Sequence, residues 1–168
     1  LNTFVVFQLD QQRYALRLET VERAIPAVEI TPLPEVPDTV LGIINMHGQI
    51  IPVFNLRRRF HLPEREIDVN DKLIIAATAR RIVALAVDSV NEITEPAEQE
   101  VIDTGTVLPL IKYVEGIMKL ADGMVLIHNL DTFLSLNEEE ALEDAIREEQ
   151  GKEDLISGND MVKEEQWK

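Results

Sequence analysis

The chain has no cysteine. Disulfides, thiolate zinc sites and cysteine nucleophiles are therefore excluded, and the absence fits a reducing compartment. Aromatic residues make up only 5% of the 168 residues, so a core has to be built mainly from Ile, Val and Leu. No apolar run reaches the ~20 residues that cross a bilayer. No charged-then-apolar leader is present in the sequence, and the cytoplasm is the location expected of a chain without cysteine. Glycine is scarce, with seven residues scattered singly and none gathered into a phosphate-binding loop. Basic residues are outnumbered, 16 Lys+Arg against 31 Asp+Glu, a net of −15. That balance sets aside nucleic acid and anionic membrane surfaces as partners.

Catalytic constellations are missing as well. The three histidines are His47 between two apolar runs, His61 after an arginine run and His128 inside an apolar run. None falls in a metal-ligand spacing, and His128 reads as an ordinary strand residue. Ser89, Ser135 and Ser157 lack nucleophile-elbow neighbours. Arg57-Arg58-Arg59 reads as a solvated helical face rather than an anion site. No catalytic, metal or cofactor site is expected. A histidine-based metal-dependent hydrolase using His47, His61 and His128 is a remote alternative carried by residue type alone.

What is present is a succession of short strands. FVVFQL and RYALRL flank a polar turn at Asp10-Gln11-Gln12, as a hairpin requires. VERAI follows, then the proline-punctuated stretch ITPLPEVPD, which is barred from a helix interior. GIINM and QIIPVFN bracket His47-Gly48, the spacing of a tight hairpin. Pro52 in the second of these strands has no N–H to donate, which predicts an edge strand or a bulge. KLIIAAT, RIVALAVD and VNEIT continue the series, and a last hairpin is expected to turn at Asp122-Gly123.

The two glycine-led hairpins echo each other. Without gaps, GIINMHGQIIPVFNLR (42–57) lies over GIMKLADGMVLIHNLD (116–131), identical at Gly42/Gly116, Ile43/Ile117, Asn55/Asn129 and Leu56/Leu130. Each is followed by a short helical turn, at Leu56–Phe60 and Leu130–Leu134. The echo predicts two related β halves of about sixty residues, each needing the other's apolar face. Approximate halves are 10–70 and 71–137, with the first strand a candidate to pair with the second half. After residue 137 the composition changes: 138–168 holds twelve Asp/Glu against four Lys/Arg. Asn137 and Glu140 predict a helix start, Ala141, Leu142, Ala145 and Ile146 a narrow apolar stripe over 138–150. Residues 151–168, including Trp167, read as a flexible polar end.

GIINMHGQIIPVFNLRRRF (42–60) resembles the central signature of the CheW family of bacterial chemotaxis coupling proteins. FVVFQL with Tyr14, VDSVNE (87–92) and YVEG (113–116) match in the same order, so the resemblance spans about 3–137. It implies a mostly β fold of two five-stranded SH3-like barrel subdomains packed together, with short helical turns and an acidic C-terminal helix. It also implies a non-enzymatic adaptor that bridges a chemoreceptor's cytoplasmic tip and the regulatory domain of a CheA-like histidine kinase. A CheW-like regulatory module of another chemosensory pathway, or a piece of a larger signalling protein, is the alternative. The positions that match the family's receptor groove are Leu18, Val21, Arg23, His47, Leu73, Val83 and Val90. Two of these depart from the family pattern, which has Arg at the hairpin tip and Glu on the earlier strand. Here those positions are His47 and Arg23, so the usual ion pair is absent. Asn55 likewise stands where the family has Asp.

Overall fold

Residues 3–103 and 114–166 are described in the computed structural model; Tyr113 of the YVEG match and Trp167 lie outside them. The chain divides into two units, Leu1–Pro32 with Asp38–Phe133, and Leu33–Pro37 with Leu134–Lys168.

The first unit holds the strands: β1 (Phe4–Leu9), β2 (Gln12–Arg17), β3 (Val21–Pro26), β4 (Val40–Met46), β5 (Gln49–Phe54), β6 (Lys72–Ala77), β7 (Ile82–Val87), β8 (Ser89–Thr94), β9 (Val101–Asp103), β10 (Val114–Leu120) and β11 (Gly123–His128). One short helix, α1 (Leu56–Arg59), follows β5. The strands form a five-stranded sheet in the order β3-β6-β7-β5-β4 and a six-stranded sheet in the order β8-β1-β2-β11-β10-β9. The expectation of a mostly β chain with two related sheets holds. The boundary at 70/71 does not: β6 and β7 pair with β3 and β5, so the five-stranded sheet runs unbroken from Val21 to Val87. The six-stranded sheet is the discontinuous one, taking the β1–β2 hairpin from the start of the chain. Hairpin signals are local, whereas the parallel β5–β7 and β2–β11 pairings that assign each hairpin to a sheet are long-range.

The two sheets are built alike. β3, β6, β7, β5 and β4 correspond to β8, β1, β2, β11 and β10. Each sheet has a single parallel strand pair, β5–β7 in one and β2–β11 in the other, with Val53↔Ala84 and Ile127↔Ala15 at equivalent places. The bulges match too, between Val40 and Gly42 and between Val114 and Gly116. Asn55 Oδ1 accepts from the Arg58 N–H, and Asn129 Oδ1 from the Asp131 N–H, so both repeat asparagines cap the turn after their hairpin.

The repeat glycines have a steric cause. After β3 the chain crosses β4, and Thr31 pairs with Ile43 through bonds of 2.8 and 2.9 Å. A Cβ on Gly42 would stand 2.2 Å from the Thr31 carbonyl oxygen; one on Gly116 would stand 3.1 Å from that of Ile102 in β9. At Gly42 only a residue without a side chain lets the crossing segment approach so closely, whereas at Gly116 a Cβ would fit if the Ile102 backbone gave by a few tenths of an ångström. The bridge also shows that the five-stranded sheet is rolled. Ile25 on β3 and Met46 on β4 sit at opposite edges, yet both pack on the cluster of Ile44, Ile51, Val53, Leu73, Ile75, Ala84 and Ala86.

β1 and β7 are nearly continuous apolar runs because both faces are covered. Phe4 and Val6 point into the cluster of the six-stranded sheet with Ala15, Met118, Val125 and Ile127. By strand alternation Val5 and Phe7 face the other way. There the few aromatics are concentrated: Phe60 stacks on His128 at 4.3 Å and on Tyr14 at 5.0 Å, Tyr14 on Phe7 at 5.7 Å. Phe133 meets Phe54, Phe60 and His128. The aliphatic core expected from composition fills each sheet's own interior, and the aromatics form a seam joining residues of both sheets.

Three local expectations are revised. β5 is an interior strand, not an edge; Pro52 is tolerated because the ladder to β7 covers only Val53 and Phe54. The β10–β11 turn is Ala121-Asp122, with Gly123 already paired to Leu120. In the second unit α2 (Leu136–Gln166) starts earlier than Asn137 and extends past 150. Its cap is Ser135, whose hydroxyl accepts from the Glu138 N–H at 3.2 Å while the Glu138 carboxylate accepts from the Ser135 N–H at 3.1 Å. No proline interrupts 136–166, and Glu, Lys, Leu and Ala favour helix. No helix of the described residues is long and apolar enough to cross a membrane.

Candidate partner-binding surfaces

The chain passes from one sheet to the other at two places. β2 leads through a 3-10 turn, Leu18–Thr20, into β3, and β7 leads through Asp88 into β8. β3 and β8 are each one of the two edge strands of their sheets. An edge strand offers unpaired backbone groups and one uncovered flank, and charged residues keep it from aggregating. Both edges carry such residues, Glu22 and Arg23 on β3 and Glu92 on β8, and all three are exposed.

The sequence candidates fall into three groups. Leu18, Val21 and Arg23 lie on the first crossing: Leu18 is 37% exposed, Val21 half-buried and Arg23 exposed. Val90 is half-buried just after the second crossing, near Ile93, which is 63% exposed. His47 stands at the β4–β5 tip. Leu73 and Val83 are different: both are fully buried. Leu73 belongs to the interior of the five-stranded sheet, and Val83 faces the seam side of β7. Neither presents a surface to a partner.

His47 has a backbone reason to be where it is. Its φ of 54° and the φ of 87° at Gly48 make the tip a turn with two left-handed residues, the type matched to strand twist. Histidine is among the side chains that tolerate this conformation. Asn45 Oδ1 accepts from the Gly48 N–H at 2.9 Å and fixes the turn. Among the described residues neither His47 nor Arg23 has an ion-pair partner, and the structure gathers no three metal-ligating side chains. His47, His61 and His128 are thus not brought together. His128 lies in the aromatic seam.

The second crossing is locked by a charge network centred on Arg57, which is not the solvated residue its Arg-Arg-Arg run suggests. Arg57 is buried, 7% exposed. Its Nη2 donates to both oxygens of Asp88 at 2.7 and 2.8 Å, and its Nη1 to Asp10 at 2.9 Å and to the Pro63 carbonyl at 3.0 Å. Arg65 donates to Asp88 at 2.6 Å and to both oxygens of Asp71 at 2.8 Å. The Asp10 N–H donates to Asp88 at 2.8 Å, and the Asp88 N–H to the Gln8 carbonyl at 3.0 Å. Burial would push the Asp88 carboxyl up, but the Arg57 and Asp10 hydrogen bonds and the two guanidinium charges outweigh it, and its pKa is lowered. Asp71 behaves alike: burial opposes, Arg65 and the Asp68 N–H prevail. The signal for this network was present in ALAVD, where a carboxylate directly follows a buried apolar run and so calls for a cation.

A model of the CheW-like domain matches residues 3–138. The chain belongs to the CheW-like family. The chemotaxis protein CheW of Rhizobium meliloti is 24% identical over 139 residues, 82% of this chain and 90% of that protein. That of Thermotoga maritima is 30% identical over 122 residues, 73% and 80%. The scaffolding protein TtCheW from Thermoanaerobacter tengcongensis matches in structure with a TM-score of 0.74 and 32% identity, covering 82% of this chain and 94% of that one. With the family goes the role: this CheW-like chain is a scaffold-type adaptor of chemotaxis signalling.

Proposed function

We propose that this CheW-like chain holds a chemoreceptor's cytoplasmic tip against the regulatory domain of a CheA-type histidine kinase, in the cytoplasm and without catalysing a reaction. The observation that carries the reading is the pair of edge strands at the two sheet crossings. Leu18, Val21 and Val90 supply aliphatic surface, Arg23 an exposed cation with no internal partner, and the Arg57–Asp88–Arg65 network keeps the β7–β8 crossing rigid. A receptor helix packs its apolar face on the aliphatic residues and offers a carboxylate to Arg23. His47, at the tip where the family has Arg, leaves that contact to Arg23. Leu73 and Val83 hold the strands beneath.

The test is binding of a receptor-tip fragment to wild type, Arg23→Glu, His47→Arg and the double variant. Arg23→Glu alone weakens binding about tenfold or more. A receptor of the usual family type is bound better by the double variant than by either single one, because Glu and Arg then form the family's pair. Identical affinities across all four proteins would remove Arg23 and His47 from the receptor surface.

A further inference from the structure

An apolar cleft lies at the far end of β3, away from Arg23, between Ala27–Ile30 and Ile67–Val69, with a volume of about 380 Å³. Three large aliphatic side chains are exposed here: Val28 at 47%, Ile67 at 37% and Val69 at 85%. Exposed aliphatic clusters on an otherwise well-buried domain mark interaction sites. The loop that carries two of them is not free to fold them inward. Asp71 is 4% exposed and accepts from both Arg65 nitrogens and from the Asp68 N–H at 2.8 Å, while the Asp71 N–H donates to the Asp68 carbonyl at 3.0 Å. Glu64 takes Asn55 and Arg58 at the other end of the loop. The apolar side chains are thus held outward before any partner arrives, which lowers the ordering cost of binding.

The rim states what kind of partner fits. Glu29, Glu66 and Asp68 flank the aliphatic side chains, and none has an ion-pair cation among the described residues. The cation of this loop, Arg65, is consumed by Asp71 and Asp88, leaving Lys72 as the one lysine or arginine in 66–72. A second copy of this chain, at net −15, would bring like charge to an acidic rim. We propose that the cleft docks a protein segment that presents aliphatic side chains flanked by lysine or arginine. This surface is separate from the receptor surface above, and each proposal can fail without the other.

The probe is a capped twelve-residue peptide of alternating lysine and valine, titrated into the full isotope-labelled chain and followed by amide chemical shifts. Peptides of alternating glutamate and valine, and of lysine and serine, serve as comparisons. The expected result is shifts centred on 27–30 and 66–70 with the lysine–valine peptide. Val28→Ser with Val69→Ser, and separately Glu29→Gln with Glu66→Gln, each weaken binding at least about fivefold. Three results would overturn the proposal: shifts confined to α2, equal binding of either comparison peptide, or indifference to both paired variants. The first would reduce the effect to attraction by the acidic helix.

Discussion

Replacing Asp88 with asparagine tests whether the charge network at the β7–β8 crossing holds the two sheets together. The substitution conserves volume, so no cavity contributes. It removes the charge that balances Arg57, whose side chain is 9% exposed, and Arg65. Breaking a buried ion pair from one side costs ~3–5 kcal/mol. The Asp88 side chain is 24% exposed, and Arg57 keeps Asp10 and the Pro63 carbonyl, which lowers the expected cost to about 2–3 kcal/mol. Against a typical total of ~5–15 kcal/mol that is a large fraction. Urea unfolding at pH 7 reads it as a midpoint lower by about 1 M or more at unchanged slope. Because the folded-state pKa of Asp88 is lowered, its contribution is full above the unfolded value near ~4 and is lost as pH falls through the lower folded value. The gap between wild type and variant therefore narrows on acidification below about pH 4. A cost under ~0.5 kcal/mol, which is the ordinary range for a surface change, would refute the network's structural role. So would a gap that stays constant into acid.

Other outcomes follow from single contacts. Gly42→Ala, which drives a Cβ into the Thr31 carbonyl, destabilises by about 3 kcal/mol or more, and Gly116→Ala by only about 1 kcal/mol, both read by thermal or urea unfolding; the reverse order would contradict the crossing geometry. Leu73→Ala costs ~2–5 kcal/mol, whereas Leu18→Ala stays within about 0.5 kcal/mol and weakens receptor-tip binding. Equal stability losses for the two would erase the distinction drawn between supporting core and contact surface.

The repeat of 42–57 at 116–131 was legible because it is written in residues with local duties. Gly42 and Gly116 lie under crossing segments, Asn55 and Asn129 cap turns, and the matching bulges stand beside the glycines. Pairing of distant strands has no such local mark. That is why β6 and β7 fall on the wrong side of a boundary drawn at 70/71, and why the seam of Phe7, Tyr14, Phe54, Phe60, His128 and Phe133 is invisible until β1, β2 and β11 lie together. Arg57 misleads for a related reason. Within Arg57-Arg58-Arg59 the three side chains look equivalent, and only the α1 phase sends the first inward to Asp88 while Arg58 pairs with Asp38 and Glu64 at the surface. For the candidate surface, the family resemblance named Leu18, Val21, Arg23 and Val90 together with Leu73 and Val83. That the first four lie on the two crossings shows only in the fold, and aliphatic identity alone did not separate the surface positions from the buried pair. Alternation along β6 and β7, once both faces are covered, does.

The proposed function requires one chain to join two partners. The most direct measurement is sedimentation of the chain with a receptor-tip fragment and a kinase regulatory domain, singly and together. Separate binding to each, with affinities on the order of micromolar, and a three-component species when all are mixed is the predicted result. Binding to neither partner, or displacement of one by the other, would contradict it.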